Sequence, residues 1–338
     1  MSSLVAWIVL AIVFGTVVMF GALGEILTEK GGHLNLGVPG LMFLGGFAGF
    51  ATAFLLEKGM GITTPFLLIP LPLICGFLVS GLGALLYAFF VTTLRANQNV
   101  TGLALTQLGV GIGSFGGVFV LLANGFAGYA KAGETYKIFS ANLHSLFNWT
   151  DGTFLDYVSE ILFSHGFMTY LAIALAILMH FFFKKTRVGL NLRAVGENPA
   201  TADAAGINVT KYKYLSSFIG GGISGLGGVF YILIFCNGGW STVNNIEALG
   251  WLAVALVIFA TWKPLNIIWG SYLFSFLFWA STYLPIVCGL TLSTAVNDLF
   301  KMLPYIVTIV VLIITSMQKK KENQPPAGLG LPYFREER

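Results

Sequence analysis

The chain has 338 residues, 56% of them hydrophobic and only 9% charged, where a soluble domain carries about 25% charged residues. That deficit excludes a globular core wrapped in a water-facing surface. With 42 glycines, the chain reads as an all-α polytopic membrane protein, since small residues let helix backbones approach closely in lipid. The net charge of +4 says nothing by itself about nucleic acid, and no nucleic-acid partner is expected.

A helix crossing the hydrocarbon needs about 20 predominantly apolar residues. Candidate spans lie near 4–24, 36–56, 66–92, 101–123, 167–183, 214–236, 246–262, 265–285 and 302–318. That makes about nine, within a range of 8–10. The first has no basic n-region and no small-residue cleavage site, so it is expected to stay as a span. The second is expected to be broken or half-length, because "HLNLGVPGLMFLGG" places Asn35, Gly37, Pro39 and Gly40 at its start. Irregular backbone at membrane depth is tolerated only where protein or a water-filled cavity covers it. These four residues are therefore candidates for a translocation pathway.

Further along, "NQNVTG" sets Asn97, Gln98, Asn99 and Thr101 at the start of a span. Amides and hydroxyls there suit an uncharged polar solute, and they suit helix capping and loop solvation equally well. The stretch 124–166 is long for a connection. It is expected to fold as one or two short helices on the external surface, offering a landing place for a solute-binding protein.

The segment "RAVGENPATADAAGINVTKYK" is the one polar, alanine-rich stretch of its length between two strongly apolar regions. Asn198 followed by Pro199 reads as an N-cap and first-turn pair. The run Ala200 to Ala205 is a good helix former with one acid, Asp203, and Gly206 supplies a left-handed stop. A helix of about two turns follows, too short and too polar to span. Its small side chains suit docking into a groove on another protein, although many such helices only connect. Arg193 and Glu197 stand at i, i+4, close enough to pair if the helix extends back to them. The tail "KKKENQPPAGLGLPYFREER" is polar and rich in Pro and Gly, so it is expected to be extended or partly disordered.

Placing 184–213 in the cytoplasm assigns 14 of the 18 basic residues to that side and four to the other, namely Lys58, Lys131, Lys137 and Lys301. The N-terminus is then outside and the C-terminus in the cytoplasm. No GxxxxGK[ST] phosphate loop is present, so ATP is neither bound nor hydrolysed by that route. The run Gly220 to Gly228 lies in an apolar span and reads as tight helix packing. The four histidines are scattered singly, and no metal site is expected. Cys75, Cys236 and Cys288 read as buried small hydrophobes. Glu25, Glu247 and Asp298 fall near span ends, where a carboxylate reaches interfacial water; none marks a mid-membrane proton route.

The segment "GLNLRAVGENPATADAAGIN" closely resembles the cytoplasmic coupling segment of ABC-importer permeases in the family serving simple sugars, nucleosides and branched-chain amino acids. Gly189, Arg193, Ala194, Gly196, Glu197, Asn198, Ala200, Gly206 and Ile207 carry the match, with Thr201 at one alanine position. "HLNLGVPGLMFLGGFAGF" resembles a stretch of the nucleoside-type branch, with Pro39 where that branch has Glu, and "PPAGLGLPYFREER" resembles its ending.

The resemblance implies a permease domain over 1–318, containing the coupling segment 184–213 and the external loop 124–166, then a cytoplasmic tail over 319–338. It implies that Gly189, Arg193, Gly196, Glu197, Asn198, Pro199, Ala200, Asp203, Gly206 and Ile207 grip a separate ABC ATPase subunit that binds the ATP. It further implies a second permease subunit, identical or paralogous, a solute-binding lipoprotein, and a bacterial plasma membrane. Such a chain has no enzyme activity of its own and needs no cofactor. The alternatives are a stand-alone secondary transporter or facilitator, and the same importer class carrying a monosaccharide or a branched-chain amino acid.

Overall fold

The computed structural model describes residues 2–126, 128–144, 153–241, 245–289, 293–303, 306, 307, 309, 310, 313, 317 and 324–334. Its helices in chain order are α1 (Ser2–Lys30), α2 (Val38–Phe54), α3 (Pro65–Leu68), α4 (Pro70–Ala88), α5 (Gln98–Ala123), α6 (Gly133–Phe139) and α7 (Phe154–Phe163). They continue with α8 (Phe167–Lys185), α9 (Arg187–Glu197), α10 (Pro199–Ala204), α11 (Val209–Phe230), α12 (Ile246–Phe259), α13 (Pro264–Cys288) and α14 (Thr294–Lys301). Two short strands, β1 (Tyr129–Lys131) and β2 (Gly239–Ser241), pair antiparallel, with Ala130 opposite Trp240.

Among the described residues, seven helical stretches are long and apolar enough to cross a membrane. The fold class is therefore the expected one, while the count of nine is not reached. α12 is apolar but has only 14 residues, about 21 Å of helix against a hydrocarbon core of about 30 Å. The expected span at 302–318 falls largely outside the described residues. The second span is not broken: α2 runs on without interruption through a π turn to Gly59. The interruption sits instead at the start of the third, where Pro70 separates α3 from α4.

Three spanning helices end in π turns, at Leu55–Gly59, Phe89–Thr93 and Tyr231–Phe235. A π turn rotates the side chains beyond it relative to the preceding helix. Here two of them deliver Glu57 and Thr92 to distant partners described below.

The core forms around α11, which packs against α1, α2 and α4. Gly220 meets Gly24 and Thr28 of α1, Gly225 meets Gly45 of α2, Gly228 meets Met42, and Gly221 meets Ala84 of α4. The glycine run is thus a packing surface, as its place in an apolar span implied. Glycine is needed because backbone lies directly opposite; a Cβ at Gly40, for example, would meet the Leu105 carbonyl at 2.6 Å. The three cysteines are free thiols; Cys75 and Cys236 are half-buried and Cys288 is exposed, so none has the full burial expected of it.

At one end of the bundle, Glu57 locks the loop after α5 in place. Its buried carboxylate accepts the backbone N–H groups of Gly133 (3.0 Å), Glu134 (3.0 Å) and Thr135 (3.2 Å) at the start of α6. An anion among the free N–H groups of a first helical turn is a favourable pairing. The expected short helices of the 124–166 loop are α6, tied to the bundle through Glu57 and the β1–β2 pair, and α7, packed against α1.

Candidate functional site

The polar segment forms two helices rather than one. α9 begins at Thr186, whose hydroxyl accepts the Gly189 N–H at 3.0 Å. α10 begins at Asn198, whose side-chain oxygen accepts the Thr201 N–H at 3.0 Å, with Pro199 in its first turn. Gly206 closes it at φ +82°, a conformation that favours glycine. Gly189 packs on the Phe182 carbonyl, and Gly196 packs on the Lys30 carbonyl and Gly32. These two glycines press the segment onto α8 and onto the end of α1. Ala202 is buried with Val195 and Val209, and Ile207 packs beside them. Arg193, Glu197 and Asn198 are exposed, while Ala200 is half-buried.

Arg193 and Glu197 share α9, yet no ion pair joins them among the described residues. Glu197 turns instead to the C-terminal tail and accepts the Ala327 N–H at 3.3 Å. The tail, expected to be extended or disordered, packs across the segment over 324–334. The Gly328 N–H donates to the Gly196 carbonyl at 2.9 Å, and the Gly330 N–H to the Gly32 carbonyl at 3.3 Å. The Tyr333 hydroxyl donates to Asp203 at 2.7 Å. Phe334 lies under the Arg95 guanidinium, 4.6 Å from the ring centre, a cation–π contact. Pro326 and Gly328 are buried beneath this crossing.

Below the segment, residues 31–37 form a knot of backbone held by side chains from several elements, with Glu25 Oε2 and Gln98 Nε2 buried there without a hydrogen-bond partner. The Asn35 N–H donates to Glu25 at 3.1 Å, and the Asn35 side chain accepts the Gly37 N–H at 2.9 Å. The Leu34 N–H donates to Gln98 at 2.7 Å, and the Leu34 carbonyl accepts the Tyr87 hydroxyl at 2.6 Å. His33 bridges Ser217 of α11 (2.8 Å) and Thr92 of the π turn (3.0 Å). Burial, with the Lys213 charge nearby, holds the His33 imidazole well below its usual range, so it is neutral at pH 7 and its two nitrogens suit two hydroxyl partners.

Glu25 does not reach interfacial water. It is 1% exposed because the loop folds back over the last turns of α1. One turn on, Glu29 is equally buried and accepts the Trp262 indole N–H.

The expected pathway residues divide. Asn35, Gly37, Pro39 and Gly40 are buried in contact with α5 and α12: Gly37 meets Leu105, Gly40 meets Thr106, and Pro39 meets Gly250. They are brought together, in packed protein rather than an open cavity of this subunit. Gln98 joins them through Leu34. Asn97 stays apart as the N-cap of α5, accepting the Val100 N–H at 3.1 Å, and Thr101 donates to the Asn97 carbonyl at 2.8 Å. An open cleft of about 620 Å³ lies beside α10 instead, lined by Arg95, Asp203, Ile207, Lys211, Lys213 and Tyr333.

Gln107 was missed by the sequence reading. It is exposed in the middle of α5, amid Leu103, Leu108 and Ile112. An amide in the apolar middle of a 26-residue helix, well past the polar start at Gln98 and Asn99, is the signal that marks it.

The family model for the branched-chain amino acid transport system / permease component matches residues 7–312. The chain belongs to this permease family. It is 31% identical over 306 residues to a nucleoside ABC transporter permease protein of Lactococcus lactis, covering 90% of each chain. It is 30% identical over 329 residues to a guanosine ABC transporter permease protein of Bacillus subtilis, covering 97% of this chain and 96% of the relative. A protein of Haloferax volcanii, provisionally named a glucose ABC transporter permease, is 33% identical over 267 residues, 78% of this chain and 72% of its own. No solved structure matches the chain. The family fits the geometry described above: apolar helices around a glycine-packed core, with a polar helix pair at one end.

Proposed function

We propose that this chain is the membrane-pathway subunit of an ATP-driven importer of nucleosides, with α9 and α10 as the element gripped by a separate ATPase. The observation that carries the reading is the capped, low-profile helix α10. It follows directly on α9, which packs onto the end of α1 through Gly196, so that a push on it is passed to the bundle rather than absorbed. Arg193, Glu197, Asn198 and Pro199 face outward and contact the ATPase. Gly189, Gly196, Gly206 and Ile207 hold the segment's shape, and Asp203 anchors the tail.

A nucleoside is favoured because the two relatives with near-complete coverage carry nucleoside and guanosine names. An uncharged solute of that kind needs amides, hydroxyls and ring faces. The exposed face of α5, with Gln107 in its middle and Phe115 and Phe119 further along, supplies such groups. Paired with α5 of a second permease subunit, it lines the path. The 31–37 knot then acts as the joint between α10 and α2 rather than as the solute site.

The basic residues Lys30, Arg95, Lys184, Arg193, Lys211 and Lys263 line cavities around the helix pair. This supports placing that end and the C-terminal tail in the cytoplasm of a bacterial cell. The opposite end, with α6 and α7, receives a solute-binding protein. The test is copurification from native membranes in mild detergent. An ATPase subunit should accompany the wild-type chain and be lost when Gly196 to Asn198 are replaced by bulky residues. A chain that elutes alone would make it a stand-alone carrier.

A further inference from the structure

Lys213 lines the open cleft beside α10, although it is only 4% exposed. A buried ammonium is costly unless it is paired and hydrogen-bonded. Among the described residues, no hydrogen bond and no ion pair reaches this side chain. Its charge acts on His33, which is neutral and gives it no counter-charge. The Lys213 ammonium is not among the fully enclosed, unpartnered polar atoms. It therefore meets open space, and the cleft is the space it lines.

The start of α11 lines the same cleft, through Val209, Thr210 and Lys211. The N–H groups of a first helical turn have no acceptor within the helix. The Asn208 side chain satisfies that of Lys211 at 2.9 Å, which leaves those of Val209 and Thr210 without a cap. Lys213 stands one turn after Val209 on this 22-residue helix. A helix N-terminus joined by cations is a site for phosphate. Arg95 adds a third cation, with its guanidinium over the Phe334 ring. One carboxylate, Asp203, also lines the cleft, and it accepts the Tyr333 hydroxyl.

At about 620 Å³, the cleft falls within the usual range for small-molecule sites, about 300–1,000 Å³. A bare phosphate ion would leave most of it empty. Tyr333 and Ile207 give the remaining space a ring and an apolar side chain, and Asp203 gives it an acceptor for hydroxyl groups. We propose that this cleft binds a nucleoside monophosphate, with the phosphate against Lys213, Lys211 and the first turn of α11, and the base against Tyr333. The ligand would bridge α10, α11 and the C-terminal tail, and so would stiffen the coupling helices against movement. Naming a nucleoside as the body of the ligand rests on the importer reading above.

The experiment uses the full chain, produced without other subunits and held in phosphatidylcholine nanodiscs, so that no ATPase contributes a nucleotide site. Binding of guanosine 5′-monophosphate is followed by isothermal titration calorimetry. The wild type should bind it, and K213Q should bind it about tenfold more weakly, the scale of one lost hydrogen bond to a charged group. K131Q/K137Q, in the 124–166 loop, should match the wild type. Guanosine, which lacks the phosphate, and inorganic phosphate, which lacks the base, should each bind about tenfold or more below the monophosphate. Equal affinity of K213Q and the wild type overturns the proposal. So does inorganic phosphate binding as tightly as the monophosphate, which would make the cleft a site for the bare anion. Guanosine binding as tightly would remove the phosphate from the account and overturn it too. Should K213Q fail to fold, K211Q decides, since Lys211 is exposed: unchanged affinity in that variant refutes the assignment. No transport is measured, so a nucleoside importer could fail this test, and a chain that carries another solute could pass it.

Discussion

The Tyr333 hydroxyl donates to Asp203 at 2.7 Å, joining two residues 130 positions apart. This bond ties the C-terminal tail to the last turn of α10. With Gly328 on Gly196 and Gly330 on Gly32, it makes the tail a strap across α9, α10 and the 31–37 segment beneath them.

Removing the strap should loosen coupling without dissolving the bundle. A Tyr333→Phe change deletes one partly buried bond to a carboxylate, worth about 1.5 kcal/mol at the low end of the range for charged partners. A thermal shift of only a few degrees is expected. Truncation after residue 323 should leave ATPase association intact and lower the uptake obtained per ATP hydrolysed several-fold. Unchanged coupling in the truncated chain would show the strap to be passive.

Asn198→Ala removes the cap of α10 and should cost about 0.5–2 kcal/mol of local helix stability. Since α10 is only 6 residues long, that is enough to fray it. Hydrogen exchange should quicken at Thr201 and Ala202, while Asn198→Asp, which still caps, should preserve protection.

The buried His33 makes stability depend on pH in a predictable direction. Its folded-state value lies below the ordinary 6.5, so the unfolded chain binds the proton more readily. The stabilisation is present above about pH 6.5 and declines as the pH falls beneath it. Melting curves between pH 8 and roughly pH 5 should show the wild type losing more stability on acidification than His33→Gln. Parallel curves for the two would remove His33 as the cause.

At the other end, Glu57→Ala leaves three N–H groups of α6 without their acceptor. The buried Thr135 donor left unpaired costs about 1–3 kcal/mol and the two half-buried donors lose their anchor, so α6 should loosen from the end of α2. The expected phenotype is separable: binding of the ATPase is kept, and stimulation by the solute-binding protein is lost. Glu57→Gln, which still accepts, should retain part of the stimulation.

What was legible in the sequence was local. Asn198, Pro199 and Gly206 announce a capped, stopped helix because each acts through its own backbone, and the glycine run announces close packing because it lies in an apolar span. Longer-range pairings left no comparable mark. Nothing in "PPAGLGLPYFREER" says that Tyr333 meets Asp203, and Glu57 gives no sign of reaching α6. The π turns that aim Glu57 and Thr92 depend on tertiary packing rather than on local preference. Asn35 was legible as unusual, but its surroundings were not: the same irregular backbone suits an open cavity or packed protein, and only the fold shows Asn35 buried. Glu25 misled for a related reason, since a loop folding back onto α1 changes a span end into an interior.

The most direct measurement is uptake into proteoliposomes that contain this chain with its ATPase and binding protein, supplied with labelled guanosine. The account predicts accumulation that requires ATP, is competed by unlabelled nucleosides and is untouched by glucose or leucine. Accumulation without ATP, or competition by glucose in place of nucleosides, would contradict it.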